Sequence, residues 1–229
     1  MALVSHEFSS AEQLIAEFAI TITELLNQAI AEKGQATLVV SGGRTPVALF
    51  QTLAQTELDW SKVVITLADD RWVDINDDAS NDKLVRTYLL QEHAAAATFI
   101  TLKHDFANAE DAVASCEAAL DNVQLPFDVV ILGMGEDGHT ASLFPCSEQI
   151  EQGLDLNSQA KYIAVQPSTA PHQRMSLTLP AILAAKNIFL HLVGESKKDT
   201  IAKALQSTEL AMPISAVINR ATVNLMWAP

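Results

Sequence analysis

The chain has 229 residues, of which 49% are hydrophobic, so it is long and apolar enough to bury a sizeable core. Its formal net charge of −14 excludes the basic surface that nucleic acids and anionic membranes require of a partner. We expect no membrane-spanning segment, because no apolar run approaches the necessary length. The two cysteines do not make a disulfide framework, and no secretory signal is recognisable, so we expect a cytoplasmic protein.

A long amphipathic helix is predicted first, capped by Ser9 or Ser10, running to about Lys33 and ended by Gly34. Apolar and β-branched runs then predict strands, which alternate with segments of helical period. The strands are expected at 36–40, 63–67, 98–102, 129–132, 161–165, 175–179, 187–193 and 222–227. This alternation predicts crossover connections and a mainly parallel sheet with helices on both faces, in one α/β domain.

The segment SGGRTP at 41–46 lies between a predicted strand and a predicted helix. Gly42 and Gly43 let backbone N–H groups approach a ligand, and the positive end of the next helix points at the same place. Ser41 and Thr45 add hydroxyl groups, and Arg44 adds a cation. This combination favours a phosphate-binding loop, although an ordinary strand-to-helix turn with a threonine cap fits the same residues.

The segment ADDRWV at 68–73 follows the next buried strand. Ligands of open parallel sheets bind at the carboxyl ends of the strands, so Asp70 and Arg71 are candidates for ligand contacts. Arg71 could bind phosphate or hold an acid in place. A local ion pair between an aspartate and Arg71 on a loop explains the sequence equally well.

The strand at 129–132 runs into a glycine-rich loop containing Gly133, Gly135, Gly138, Asp137 and His139. The spacing of the glycines matches a dinucleotide fingerprint, but a proline follows within two turns and the expected later strand with a terminal acid is missing. Metal binding is not expected either, because no second cluster of ligands has suitable spacing. Imidazole titrates near neutrality, so the histidine is predicted to act as a general acid or base. The aspartate, or the loop backbone, would orient it.

The basic residues are few, and several of them fall in predicted loops. Arg44, Arg71, Arg174 and Lys197 each lie beside a glycine or proline or directly after a strand. In a chain this acidic, an anionic ligand needs cations gathered locally. These positions therefore indicate a small phosphorylated ligand bound through charge-assisted hydrogen bonds.

Five segments taken together resemble the 6-phosphogluconolactonases of the glucosamine-6-phosphate isomerase superfamily. They are SGGRTP at 41–46, ADDRWV at 68–73, LGMGEDGHTASLFP at 132–145, PHQRMSLTLP at 171–180 and GESK at 194–197. The resemblance covers nearly the whole chain, and the DGHTASLFP stretch is its most specific part. The related glucosamine-6-phosphate deaminases share the SGG loop and the DGH core but continue differently after the histidine.

The resemblance implies a Rossmann-like, three-layer α/β/α fold in a single domain, residues 1–229. It also implies hydrolysis of a phosphorylated sugar lactone in the pentose phosphate pathway, with no cofactor and no metal. We expect a monomer or a small homo-oligomer without nucleic-acid or membrane partners. A deaminase of phosphorylated amino sugars and a non-catalytic sugar-phosphate sensor remain the alternatives.

Site residues follow from the same resemblance, position by position. His139 matches the catalytic base, which would activate water, with Asp137 beside it. The remaining matches are the phosphate loop Ser41, Gly42 and Gly43, and the substrate-contacting cations Arg71, Arg174 and Lys197. Two departures are visible: Arg44 stands where the commonest family form has serine, and Asp70 stands where glutamate is usual. The shorter side chain of Asp70 puts in doubt any direct contact that the longer acid makes.

Overall fold

A computed structural model describes residues 2–229. The strands are β1 Ala2–Glu7, β2 Ala36–Val40, β3 Val63–Leu67, β4 Asp69–Arg71, β5 Thr98–Ile100, β6 Val129–Leu132, β7 Tyr162–Val165, β8 Arg174–Leu177, β9 Asn187–Val193 and β10 Thr222–Ala228. The helices are α1 Ala11–Lys33, α2 Val47–Ala54, α3 Asn81–Tyr88, α4 Ala109–Ala118, α5 Ile150–Leu154, α6 Leu179–Leu183, α7 Glu195–Ala204 and α8 Ile214–Arg220. Short 3₁₀ turns cover Trp60–Lys62 and Glu92–Ala96.

Seven parallel strands form the main sheet in the order β1-β10-β9-β6-β2-β3-β5. From β2 the chain proceeds to one side through β3 and β5, and from β6 it proceeds to the other side through β9 and β10. The strand order therefore reverses between β2 and β6. At such a switch point the loops after the two strands diverge and leave a crevice at the carboxyl edge of the sheet.

The predicted mainly parallel sheet flanked by helices in a single domain is confirmed. Helix α1 begins at Ser10, whose hydroxyl accepts the N–H of Gln13, and ends at Gly34 in the left-handed conformation with φ 79°. By length and composition alone, α1 is the one helix among residues 2–229 that could cross a membrane. Its stripe of Leu14, Phe18 and Ile22 is fully buried, and the helix packs against β2, β6 and β10.

Two features of the fold were not predicted. Strand β1 lies at the edge of the main sheet and is largely exposed, so its sequence has no buried alternation that would have revealed it. A second, three-stranded sheet has the order β4-β8-β7 and is antiparallel throughout. The sequence indicated extended backbone at β7 and β8 but not at β4, and pairing between distant segments depends on tertiary structure.

Strands β2 and β6 are tied together at their amino ends by the buried Asp128, which is 2% exposed. Its Oδ2 accepts hydrogen bonds from the backbone N–H of Thr37 at 2.9 Å and the hydroxyl at 3.0 Å. Lys33 and Lys186 place their Nζ atoms 2.9 and 3.0 Å from the two carboxylate oxygens. Burial opposes ionisation, but these ion pairs and hydrogen bonds outweigh it and hold the pKa of Asp128 below its usual range.

We expect Asp128→Asn to lower the free energy of unfolding at pH 7 by about 3 kcal/mol, because it leaves two lysines without their buried partner. A carboxyl group whose pKa is lower in the folded state stabilises the fold above its unfolded pKa of about 3.9, and this stabilisation is lost as the pH falls. The difference between variant and parent should therefore shrink below about pH 4. Urea unfolding of both proteins between pH 3 and pH 8 measures this difference in the free energy of unfolding.

Asp59→Asn is the control, because Asp59 pairs with Lys62 on the surface, where both side chains are 49% exposed. We expect it to leave the pH dependence of unfolding nearly unchanged. A constant difference between Asp128→Asn and the parent over the whole pH range would contradict the proposed ionised anchor.

Candidate active site

The loops after β2 and β6 meet at the switch point and line a cleft of about 390 Å³. The third wall comes from the small sheet, through residues of β4 and β8, and α7 contributes Lys197 from the opposite side. A volume of this size suits a small metabolite rather than a macromolecule. The position agrees with the general rule that open α/β sheets bind ligands where the strand order reverses.

The loop after β2 presents backbone to the cleft. Gly43 has φ 101°, a conformation that side-chain-bearing residues rarely adopt. The Ser41 hydroxyl donates to the carbonyl of Ile131 at 3.0 Å, which joins this loop to β6. Thr45 also lines the cleft, whereas Arg44 is exposed and does not line it. Glycine backbone and two hydroxyls at the start of α2 form a place where an anion can be bound.

Asn81, the first residue of α3, packs against the phosphate-loop candidate Gly42. A methyl group at Gly42 would overlap the Asn81 side-chain amide, which explains the glycine without invoking backbone strain. The amide Nδ2 donates to the carbonyl of Asp69 at 2.8 Å, and the residue itself is 3% exposed. Asn81 thus holds the ends of two neighbouring strands in contact beneath the cleft.

The two adjacent aspartates after β3 point in opposite directions, as successive side chains of a strand do. Asp69 lines the cleft and accepts the Ser142 hydroxyl at 2.5 Å. Asp70 is turned away into the protein, where its carboxylate accepts the N–H groups of Asn81 and Asp82 at 2.7 and 3.1 Å. Burial raises the pKa of Asp70 to about 6 despite these bonds. Asp70 caps α3 and does not line the cleft.

Arg71 and Arg174 face each other across the antiparallel pair of β4 and β8, and both line the cleft. Their terminal nitrogens donate to the carbonyls of Ala79 at 2.8 Å and Pro171 at 3.1 Å, but both Nε atoms are buried without a partner. Burial, with the neighbouring Arg71 charge, lowers the pKa of Arg174 below its usual value. Two guanidinium groups side by side with unused donors are suited to an anion bound between them.

His139 lines the same cleft, at the end of the glycine loop. Its Nδ1 is 2.5 Å from Oδ1 of Asp137, which also accepts the backbone N–H of His139 at 3.2 Å. Phe144 stacks on the imidazole with the ring centroids 4.0 Å apart and the planes at 25°. Partial burial opposes ionisation of Asp137, but the hydrogen bonds from His139 outweigh it and lower the pKa of Asp137.

This geometry determines the tautomer that the imidazole can adopt. An ionised Asp137 accepts a proton from Nδ1, so Nε2 keeps its lone pair. Among residues 2–229, Nε2 of His139 has no hydrogen-bond partner, and the side chain is 27% exposed towards the cleft. A neutral histidine held in this way can take a proton from a water molecule or a ligand hydroxyl.

The structure brings most of the predicted site residues to this one cleft. Those that line it are Ser41, Gly42, Gly43, Thr45, Arg71, His139, Arg174 and Lys197. Asp137 contacts His139 but does not itself line the cleft, and Arg44 and Asp70 also lie outside the lining. Sequence reasoning missed Asp69, Asn81 and Phe144. Only Asp69 had a local signal, because it is the first acid after a buried strand. Among residues 2–229, no group of three or more His, Cys, Asp or Glu side chains could hold a metal ion.

Comparisons with known proteins show the family to which the chain belongs. Residues 9–227 match the family described as glucosamine-6-phosphate isomerases/6-phosphogluconolactonase. A 6-phosphogluconolactonase of Pseudomonas putida is 41% identical, covering 100% of this chain and 94% of that protein. The crystal structure of a 6-phosphogluconolactonase from Shewanella baltica OS155 has 46% identity and a TM-score of 0.96, covering 99% of this chain and 98% of that chain.

A monomeric glucosamine-6-phosphate deaminase shares the fold at 17% identity, with a TM-score of 0.79 over 99% of this chain and 97% of that one. The chain therefore belongs to the glucosamine-6-phosphate isomerase/6-phosphogluconolactonase family. Within that family it groups with the hydrolases, the 6-phosphogluconolactonases, and not with the deaminases.

We expect Gly42→Ala to destabilise the protein by about 1–3 kcal/mol, because the added methyl displaces Asn81 from a packed position. Gly133→Ala is the matched control, since Gly133 also lines the cleft but an added methyl there meets no atom within 4 Å. Urea unfolding measures the free energy of unfolding of the two variants and of the parent. Equal stability of the two variants would contradict the role assigned to Asn81.

Proposed function

We propose that this protein hydrolyses 6-phospho-D-glucono-1,5-lactone to 6-phosphogluconate, as a step of the oxidative pentose phosphate pathway in the cytoplasm. The observation that carries the proposal is the placement of His139, contacted by Asp137, in the same cleft as Arg71 and Arg174. A proton acceptor and paired cations in one cleft suit a substrate with an ester-like carbonyl at one end and a phosphate at the other. We propose that the enzyme works without a cofactor, as a monomer or a small homo-oligomer.

In the proposed first step, Nε2 of neutral His139 takes a proton from water while the water oxygen attacks C1 of the lactone. The carbonyl π electrons move to the oxygen, which becomes an oxyanion on a tetrahedral carbon. A loop N–H or one of the cleft cations stabilises this oxyanion, a contribution of about 3 kcal/mol in comparable sites. Asp137 stabilises the imidazolium that forms, because its carboxylate accepts the Nδ1 proton.

In the second step, the tetrahedral intermediate re-forms the C1 carbonyl and the bond from C1 to the ring oxygen breaks. The imidazolium returns its proton to that oxygen, which becomes the hydroxyl of the open chain, and His139 is neutral again. General base action of this kind contributes roughly 10²–10⁴-fold. No covalent intermediate is needed, and the Ser142 hydroxyl is fully buried and already bonded to Asp69.

We propose that the phosphate binds to the Ser41–Thr45 turn, with Arg174 and Lys197 supplying charge and Arg71 next to them. The support is the set of buried Nε atoms on the two arginines, which an anion would satisfy. Arg44 is exposed beside the same turn, so any contribution it makes is long-range attraction of the anion. Asp70 contributes indirectly, by capping α3 and so placing Asn81 against Gly42.

A coupled assay that reports 6-phosphogluconate, started with freshly made 6-phosphogluconolactone, tests the proposal after subtraction of spontaneous hydrolysis. The alternative, deamination of glucosamine-6-phosphate with His139 opening the sugar ring, is tested by ammonia release. Release of ammonia without hydrolysis of the lactone would contradict the proposed reaction and support the deaminase. A non-catalytic sensor would bind inorganic phosphate and give neither product.

We expect His139→Ala to lower kcat for lactone hydrolysis by about 10²–10⁴-fold, because water then lacks its base. KM should change little, since the imidazole does not bind the phosphate. His93→Ala is the control, because His93 is exposed on the turn Glu92–Ala96 and does not line the cleft. Near-normal turnover by His139→Ala would exclude the mechanism while leaving the substrate assignment open.

We expect Arg174→Met to raise KM for the phosphorylated lactone by about 10- to 100-fold, the effect of one lost charge-assisted hydrogen bond. Stability should stay within about 1 kcal/mol of the parent, because the lost bond to Pro171 is offset by relief of repulsion from Arg71. Hydrolysis of glucono-1,5-lactone, which has no phosphate, should be unaffected. An equal rise in KM for both lactones would show that Arg174 acts at the lactone carbonyl and not at the phosphate.

A further inference from the structure

Glu136 lies in the glycine loop next to Asp137, and its carboxylate contacts α7. Oε1 is 2.7 Å from Nζ of Lys197, and Oε2 accepts the hydroxyl of Thr200 at 3.1 Å. Thr200 is 3% exposed, so one end of this contact is buried in the fold. Glu136 itself is 65% exposed, and the mechanism proposed above does not use it.

Lys197 lines the cleft and is held by a second contact that does not involve Glu136. Its Nζ donates to the carbonyl of Met134 at 2.9 Å, and its side chain is 22% exposed. An ammonium group has three donors, so one remains for a ligand. The carbonyl of Met134 contacts the ammonium group independently of Glu136, whereas the carboxylate of Glu136 also offsets its charge.

We propose that Glu136 is a specificity-determining residue whose carboxylate competes with bound phosphate for Lys197 and so weakens the affinity of the cleft for anions. The inference rests on the proposed function, in which Lys197 contacts the phosphate of the substrate. A carboxylate beside the ammonium both occupies one of its donors and repels a dianion at short range. The effect grows with the negative charge of the ligand.

This competition has a consequence for the product. Hydrolysis converts the uncharged lactone group into a carboxylate, while the phosphate is kept. The product therefore carries one more negative charge than the substrate. A fixed carboxylate next to Lys197 therefore weakens binding of the product more than binding of the substrate. Glu136 thus limits product inhibition, although it also lowers the affinity for the substrate.

The test compares the parent with Glu136→Gln, which keeps an oxygen for the Thr200 hydroxyl but removes the charge. Glu7→Gln is the matched control, because Glu7 pairs at 2.8 Å with Lys198, the next residue of α7, and Glu7 does not line the cleft. Affinity for inorganic phosphate is measured by calorimetry, which needs no turnover. KM, kcat and the inhibition constant of 6-phosphogluconate are measured in the coupled assay, and glucono-1,5-lactone serves as the uncharged ligand.

Glu136→Gln should bind inorganic phosphate about twofold to fivefold more tightly, the range of a partly exposed ion pair. The inhibition constant of 6-phosphogluconate should fall by more than KM does, with kcat and the reaction of glucono-1,5-lactone unchanged. Glu7→Gln should match the parent. Unchanged or weaker phosphate binding in Glu136→Gln would overturn the proposal, as would an absence of phosphate binding in both proteins. Failure to hydrolyse the lactone, by contrast, would refute the proposed function and leave the binding comparison standing.

Discussion

The parallel pairing of β2 with β6 is the contact on which the rest of the site depends. The strands pair directly at Leu38 with Val129 and at Val39 with Val130. Side chains hold the register at both ends, through Asp128 on Thr37 at one end and Ser41 on the carbonyl of Ile131 at the other. A slip by one residue would turn every side chain of a strand to the opposite face. The register therefore determines that the two glycine-containing loops open side by side.

The charge arrangement of the cleft is suited to an anionic ligand and does not favour folding. Arg71 and Arg174 are cross-strand neighbours with like charges and unused buried donors, an arrangement that lowers stability in the absence of an anion. The protein as a whole carries a net charge of −14, which repels anions in general. The cations gathered in the cleft can attract an anion locally despite this overall charge. The effect proposed for Glu136 on Lys197 follows the same principle, because a carboxylate 2.7 Å away offsets the charge of the ammonium group.

Much of the fold and part of the site could be predicted from the sequence because the signals are local. Ser10 and Gly34 mark the ends of α1, and the apolar runs of β2, β3, β6 and β9 are buried on both faces. The small sheet was not predictable, because β4 lies about a hundred positions along the chain from its partner β8. Asp70 was named from the family resemblance, and only the direction of the strand shows that Asp69, and not Asp70, faces the cleft. Asn81 had no local signal for a place in the cleft, since its contacts with Gly42 and with the carbonyl of Asp69 give it its role.

The sequence by itself determined the class of fold, the phosphate-loop candidate after β2 and the choice of His139. The reason is that the backbone conformations open to glycine and the ability of imidazole to exchange a proton near neutral pH are properties of single residues and their immediate neighbours. Only the tertiary structure decided which residues share a cleft. It joined Asp137 to Nδ1 of His139, set Arg71 beside Arg174 and turned Asp70 away from the cleft. The physical reason is that hydrogen bonds and ion pairs act over a few ångströms in space, whatever the distance along the chain.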